Sequence, residues 1–221
     1  NGQSDVISAI AGTRGVQGGA IKLEGRDVVP MSVLERRQQG IAGIPEDRLA
    51  QGLAVGASVA ENLVSTRLTD KRFVRSGLLD LKAIKAQAQT LIDRFSIRVS
   101  GPQAAVATLS GGNMQKVVVA RELAEQPKLL LVAQPTRGVD LGATQFIWKT
   151  IANARDAGTA VLLTSADLSE LLALSDRLLV FYRGKIVAAF RNSEAVNPET
   201  LGTYMLGLQA QTPDEMREAL A

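Results

Sequence analysis

The chain has 221 residues, with 46% hydrophobic and 21% charged side chains, which is the balance of a globular protein of one large or two small domains. Its net charge of +3 is too small to indicate nucleic acid binding by itself, since solvated surface Lys and Arg account for it. Cys and His are both absent, which excludes disulfide frameworks, thiol nucleophiles, zinc sites built on these residues and hydrolases that need imidazole.

Short apolar runs alternate with amphipathic helical stretches, a pattern typical of an α/β fold with a mostly parallel sheet. Ser58 and Glu61 have the spacing of a capping box, in which each residue satisfies a backbone N–H of the other. The elements predicted for the first half are a helix over 4–11, a strand over 20–25, a strand ending in a turn at Pro45, and a helical block over 58–95 that includes a helix over 79–95.

The second half contains two buried strands and a final hairpin. Asp167 is predicted to cap a helix, with Glu170 three positions later. The tail beyond Gln209 is polar and is predicted to be frayed. The other predicted elements are a helix from 112 to 125, a strand over 128–133, a helix over 145–156, a strand over 159–165, and two strands joined at Arg183 and Gly184.

The stretch 109–140 carries the strongest functional signal and reads LSGGNMQKVVVARELAEQPKLLLVAQPTRGVD. Ser110, Gly111 and Gly112 form a turn with little side-chain bulk at the start of a helix. Free N–H groups and the positive end of the helix dipole make such a turn suitable for phosphate. Taken alone, these three residues favour a simple turn at a helix start over a phosphate site.

The whole string resembles the signature motif, Walker B strand and D-loop of ATP-binding cassette (ABC) proteins, in the order and spacing of that family. Other segments are also similar to ABC motifs. They are GQSDVISAIAG (2–12), similar to the end of a Walker A loop and its helix, GIPEDR (43–48) at the Q-loop, and ADLSELLALSDRLLVFYRGKIV (166–187) at the switch region and closing hairpin. The resemblance implies a P-loop NTPase fold of the ABC type with an inserted helical subdomain.

Within that family, PEDR, LSGGNMQK and QPTRGVD resemble the second, degenerate cassette of ATPases that drive simple-sugar and nucleoside import. FSIRVSGP (95–102) favours the nucleoside branch. The division that the resemblance implies is a core over 1–50 with a partial Walker A, a helical subdomain over 51–106, a core over 107–208 and a tail over 209–221. The strand before the Walker A loop is missing, so we expect the chain to be N-terminally incomplete.

The resemblance also reveals departures from the family pattern. A Walker A loop needs a Lys for the phosphate oxygens and a hydroxyl for Mg²⁺. The last positions of this loop fall on Asn1, Gly2, Gln3 and Ser4. Gln3 takes the place of the Lys, and Ser4 remains as a possible Mg²⁺ ligand. At the other positions, Glu46 replaces the Q-loop Gln, Ala133 the Walker B Asp, Gln134 the catalytic Glu and Ala166 the switch His.

Each replacement removes a different contribution to phosphoryl transfer. Ala133 offers no oxygen to support Mg²⁺, and Gln134 can orient a water but cannot accept its proton. Singly, each is also explained by another hydrolytic chemistry or by a register shifted by one residue. Together, the replacements predict that the nucleotide site formed by this chain's own Walker motifs hydrolyses ATP poorly.

The signature positions, by contrast, are intact. In ABC dimers each signature closes over the nucleotide that the other cassette holds. The resemblance therefore implies that a partner's ATP site is completed by Ser110, Gly111, Gly112 and Gln115, with Asp140 of the D-loop beside them. Asp140 is also suited to be an ordinary helix cap before Leu141, and both roles are compatible.

The partners that the resemblance implies are a second cassette, on the same or another polypeptide, membrane permease subunits that meet region 51–106, and indirectly a periplasmic or lipoprotein solute-binding protein. The cofactors are ATP and Mg²⁺, the location is the cytoplasmic membrane face, and no nucleic acid is expected. Two alternatives stay open. One is a soluble ABC protein acting on nucleic acid or ribosomes, and the other is a nucleotide-sensing pseudoenzyme without a transport role.

Overall fold

The computed structural model describes residues 2–75 and 77–220, which fall into two units, Asn1–Gln38 with Leu163–Ala221, and Gln39–Leu162. The helices are α1 (Gln3–Ala11), α2 (Val33–Gln38), α3 (Val59–Val64), α4 (Leu81–Arg94), α5 (Gly111–Glu122), α6 (Leu141–Asp156), α7 (Leu168–Leu174), α8 (Pro198–Met205) and α9 (Pro213–Leu220). The strands are β1 (Lys22–Leu23), β2 (Arg26–Asp27), β3 (Ile41–Ile44), β4 (Val74–Arg75), β5 (Leu78–Leu79), β6 (Leu129–Ala133), β7 (Ala160–Thr164), β8 (Arg177–Tyr182) and β9 (Lys185–Arg191).

The sheet has the strand order β3-β6-β7. β3 and β6 pair in parallel, with Ile41 opposite Leu129 and Ile44 opposite Val132. Nearly all the side chains of these two strands are buried, which explains why both strands are continuous apolar runs rather than alternating patterns. The prediction of a parallel α/β sheet is therefore confirmed.

The predicted capping box begins α3. The Ser58 hydroxyl accepts a hydrogen bond from Glu61 N, and the Glu61 carboxylate accepts one from Ser58 N at 2.7 Å. The Ser58 hydroxyl also donates to the Glu61 carboxylate. This bond and the one from Ser58 N hold the pKa of the Glu61 carboxyl below its usual range.

Replacing Ser58 with Ala should lower the free energy of unfolding by about 1 kcal/mol at pH 7. A carboxyl whose pKa is depressed by folding stabilises the protein above its unfolded pKa, and this contribution disappears as the pH falls through the folded value. The difference between wild type and variant in urea unfolding should therefore shrink from pH 7 to pH 3. A difference that persists unchanged at pH 3 would contradict this role for Glu61.

The prediction of one helical block over 58–95 was wrong, because the antiparallel hairpin of β4 and β5 interrupts it. The buried Phe73 ring anchors the hairpin, with the Arg67 and Arg72 guanidinium carbons 5.4 and 5.8 Å from its centroid. Gly77, with a φ of 80°, provides the left-handed backbone that the turn requires.

In the other unit, β8 and β9 form the predicted antiparallel hairpin. Its turn residues Arg183 and Gly184 both have positive φ, 47° and 79°, as a type I′ turn requires. Leu178, Val180 and Ala188 of the hairpin pack with Leu201 of α8 in a small apolar core.

Arg36 of α2 lies almost fully buried in this unit. Its guanidinium donates to Ala9 O and Ile10 O at the end of α1, and to Val29 O and Met31 O. A cation at the negative end of α1 is electrostatically favourable. Arg36 therefore fixes the helix that follows the Walker A positions.

Several predicted boundaries needed correction. The strand predicted over 20–25 is shorter than expected. It consists of β1 alone, which pairs antiparallel with β2. α5 ends at Glu122 rather than 125, and α6 begins at Leu141 rather than 145, because Asp140 caps it. The tail beyond Gln209, which was predicted to be frayed, contains α9. The predicted division of the chain into core, helical subdomain and tail, with boundaries after residues 50, 106 and 208, stays a prediction. Within residues 2–75 and 77–220, no helix combines the length and apolar character needed to cross a membrane.

Candidate nucleotide site

The signature turn is held by a short chain of hydrogen bonds. Ser110 is the N-cap of α5, and its hydroxyl accepts from the backbone N and the side-chain Nδ2 of Asn113, at 3.4 and 3.0 Å. The Asn113 Oδ1 atom in turn accepts from Arg98 N at 2.8 Å. The turn is thus tied both to its own helix and to the segment before it.

Both signature glycines lie where a side chain would collide with the loop between β6 and α6. A Cβ on Gly112 would be 2.8 Å from Asp140 Oδ2 and 2.8 Å from Ala143 Cβ. A Cβ on Gly111 would be 3.2 Å from Gly138 O. The glycines therefore permit the signature turn and the D-loop to lie against each other, whether or not a phosphate binds there.

Asp140 begins α6, and its Oδ1 atom accepts from Ala143 N at 2.9 Å. This confirms that it is a helix cap. Because its other carboxylate oxygen lies against Gly112, the structure brings Asp140 and the signature together. Its role at a partner's nucleotide stays a prediction.

Ala133 and Gln134, which we predict to replace two carboxylates of the family, lie at the end of β6. Ala133 is 8% exposed, and its methyl group completes the strand. Gln134 follows with a φ of 49°, and its carbonyl accepts from Arg137 N at 3.1 Å, so the chain turns sharply there. A half-buried amide at Gln134 can donate and accept hydrogen bonds but cannot act as a general base.

Glu46 forms an ion pair with Arg137 at 2.9 Å. The negative charge of Glu46, which we predict to replace the Q-loop Gln, is therefore partly offset by a neighbouring cation. Arg48 also reaches this loop, where it donates to the carbonyls of Arg137 and Gly138. No role was predicted for Arg48 or Arg137, although an Arg inside a motif such as PEDR is a signal for a role beside the signature turn.

Two further signature residues lie on α5. Gln115 is only 2% exposed, so in this structure it belongs to the packed side of the helix. Lys116 donates to Ser96 O at 3.0 Å and lies 4.3 Å from the centre of the Phe146 ring. Burial lowers the pKa of the Lys116 ammonium, an effect that nearby Arg98 increases and Asp140 opposes.

The Walker A positions lie in the other unit, at the start of α1, and Asn1 is outside the described residues. Gly2 is the N-cap, with a φ of 107°, and a Cβ there would be 3.2 Å from Gly184 Cα. Gln3 is half-buried and Ser4 is exposed. Asp5 adds a negative charge to the first turn, but Arg14 pairs with it at 2.6 Å.

Ala166 lies exposed between β7 and Asp167, the cap of α7. The Asp167 side chain accepts from Ser169 N at 2.8 Å, which confirms the predicted cap. A methyl group at Ala166 cannot donate a hydrogen bond to phosphate or move a proton.

Each of two helix starts, taken within its own unit, suits an anion. The first-turn N–H groups of α1 and those of α5 point out of helix starts, where the dipole favours anions. The Ser4 hydroxyl stays the predicted Mg²⁺ ligand, and Ala133 supplies no oxygen for a metal.

The chain is similar to ATP-binding proteins of import systems. The nucleoside import ATP-binding protein NupA of Lactococcus lactis is 38% identical over 207 residues, which are 94% of this chain and 41% of that protein. The guanosine import ATP-binding protein NupO of Bacillus subtilis is 37% identical over 94% of this chain and 40% of its own length. The chain thus spans about two fifths of the length of these relatives.

Solved structures show the same fold. A nucleotide-free ATP-binding cassette from an ABC transporter aligns with a TM-score of 0.72 at 21% identity, over 91% of this chain and 83% of that one. A dimeric cassette in a post-hydrolysis state with ADP and Pi aligns with a TM-score of 0.72 at 18% identity, over 86% and 81% of the two chains. The ABC transporter family model matches residues 1–137, and with this match the fold and the motifs lead to one conclusion: the chain belongs to the ABC transporter family.

Proposed function

We propose that this chain is a nucleotide-binding cassette of an ABC importer that couples ATP binding and hydrolysis to uptake of a nucleoside or a simple sugar. The names of its relatives support the solute class, since they include nucleoside, guanosine and ribose import proteins. FSIRVSGP, which already favoured the nucleoside branch, lies in the chain just before the signature.

The cassette's own site hydrolyses ATP poorly. The observation that carries this proposal is the end of β6, where a buried methyl at Ala133 and an amide at Gln134 occupy the two carboxylate positions. Gln3 and Ala166 further deprive the site of a phosphate-binding ammonium and a switch imidazole. Phosphoryl transfer depends on charge stabilisation and on a correctly placed nucleophile, and these four positions supply little of either.

The signature side is competent and serves the second cassette, on the same or another polypeptide. The Ser110 hydroxyl and the first N–H groups of α5 orient and bind the γ-phosphate that the second cassette holds, with Asp140 beside them. When bound to ATP, Mg²⁺ neutralises charge on the phosphate oxygens. In the cassette's own site the Ser4 hydroxyl is the group that would contact it.

The assembly proposed for this cassette is a peripheral complex on the cytoplasmic membrane face. Region 51–106 contacts the permease subunits, and a periplasmic or lipoprotein solute-binding protein delivers the solute to them. No nucleic acid is involved. Uptake of labelled guanosine or ribose by proteoliposomes of the intact transporter, with and without internal Mg·ATP, tests the transport role.

Replacing Gln134 with Ala in the assembled transporter should leave ATP hydrolysis within about twofold of wild type, since an amide at this position performs no proton transfer. Phosphate release at saturating Mg·ATP measures the effect. A fall of about tenfold or more would show that this chain's own site performs catalysis, and would contradict the proposal.

A further inference from the structure

Arg48 lies between the D-loop and the signature turn. It begins a π-helical turn, Arg48–Gly52, whose cap Asp47 accepts hydrogen bonds from Leu49 N and Ala50 N at 2.9 and 3.0 Å. Because these bonds from Asp47 fix the backbone of the turn, they also fix the position of the Arg48 Cα atom.

The guanidinium group makes contacts in two directions. Nη1 donates to Arg137 O at 2.7 Å and Nη2 to Gly138 O at 3.1 Å, so two successive carbonyls of the D-loop are bound at once. The same Nη2 would be 2.9 Å from a Cβ on Gly111. One planar group therefore binds the D-loop and lies beside the signature turn.

An ion pair also joins the segment 46–48 to the D-loop, and here the D-loop supplies the arginine. The Arg137 side chain returns to Glu46 at 2.9 Å, so residues 46–48 and 137–138 are linked by side chains from both. Two backbone hydrogen bonds, from Arg137 N to Gln134 O at 3.1 Å and from Val139 N to Thr136 O at 3.3 Å, turn the chain within this loop. The side-chain bonds of Arg48 and Arg137 connect the turned loop to residues 46–48.

We propose that Arg48 is a positioning residue that holds the D-loop against Gly111, so that Ser110 and Asp140 face the second cassette's nucleotide as one surface. This inference rests on the proposed function of the signature side. Arginine suits the task because its forked donors bind two carbonyls in a fixed geometry, which the single ammonium of Lys cannot reproduce. Displacement of a positioned group by about 1 Å can cost on the order of 100-fold in rate.

Hydrogen exchange of the assembled transporter tests the positioning directly. With Arg48 replaced by Ala, peptides covering 134–141 and 109–114 should exchange about tenfold faster, since the loop loses two hydrogen bonds. Arg48→Lys should give an intermediate rate. Arg155→Ala, which removes an ion pair with Asp156 on the far end of α6, is the matched control and should leave both peptides unchanged.

Steady-state kinetics of the same complexes provide a second measurement. Arg48→Ala should lower kcat by about tenfold and change KM for ATP by less than about threefold, with partial recovery in Arg48→Lys. Exchange that stays at the wild-type rate, or faster exchange with unchanged kcat, would overturn the inference. A raised KM with unchanged kcat would also overturn it, because it would mean that Arg48 binds nucleotide directly. Ser110→Arg separates failure of this inference from failure of the proposed function. If the signature side does not serve the second cassette, Ser110→Arg will leave turnover intact. If only the inference about Arg48 is wrong, Ser110→Arg will still abolish turnover.

Discussion

Replacing Ser110 with Arg should lower ATP turnover by the assembled transporter by about 100-fold or more. The variant side chain would fill the space in front of the first turn of α5, where we propose that the second cassette's γ-phosphate binds. It would also remove the hydroxyl that accepts from Asn113 N and Nδ2. Phosphate release by the purified complex at saturating Mg·ATP gives the measurement.

Loss of the helix cap must be separated from loss of the phosphate site. Ser110→Ala removes the cap without adding bulk and should cost about 1 kcal/mol of stability. Asn197→Ala removes a comparable cap, that of α8, outside region 51–106 and should leave turnover unchanged. Full activity of the complex with Ser110→Arg, or of this cassette alone, would contradict the proposed division of labour.

Replacing Arg121 with Met should lower the free energy of unfolding by about 3–5 kcal/mol. Arg121 Nε is 2.8 Å from Glu122 Oε1, and the two side chains are 8% and 1% exposed. Nη1 of Arg121 also donates to Gly52 O at 2.6 Å. The variant therefore removes a guanidinium from a buried carboxylate and a donor from a buried carbonyl, both of which are costly. Chemical denaturation followed by circular dichroism measures the change.

The double variant Arg121→Met/Glu122→Gln is the control for the charge. It should be more stable than Arg121→Met alone, because the Gln carbonyl can still accept from Gly43 N, as Glu122 does at 3.1 Å, without burying a charge. Two results would show that the pair contributes little to stability. One is a loss of less than about 1 kcal/mol of unfolding free energy in Arg121→Met. The other is a loss in the double variant equal to the sum of the losses in Arg121→Met and Glu122→Gln.

Much of the fold could be read from local patterns. The apolar runs that became β3 and β6, and the cap residues Ser58 and Asp167, act over a few residues and leave a clear trace in the sequence. The same signal was present but unused for two further helices. Ser32 with Glu35 before α2, and Thr212 with Glu215 before α9, form the reciprocal hydrogen bonds of capping boxes.

Other features depend on residues far apart in the chain, and no local pattern contains them. Arg48 contacts carbonyls about ninety positions later, and Gly112 is a glycine partly because Asp140 and Ala143 pack against it. The family resemblance gave the identity of the signature positions but not these contacts.

The segment after Gln209 has a consequence for handling the protein. Gln211 N donates to Val187 O at 2.9 Å, and Ala189 N donates to the Gln211 side-chain oxygen at 2.8 Å, so this residue occupies the outer edge of β9. A chain shortened before Gln211 would present that row of amides and carbonyls to other molecules, and exposed strand edges promote aggregation. Preparations truncated there should form insoluble or oligomeric material at concentrations where the longer chain remains dispersed.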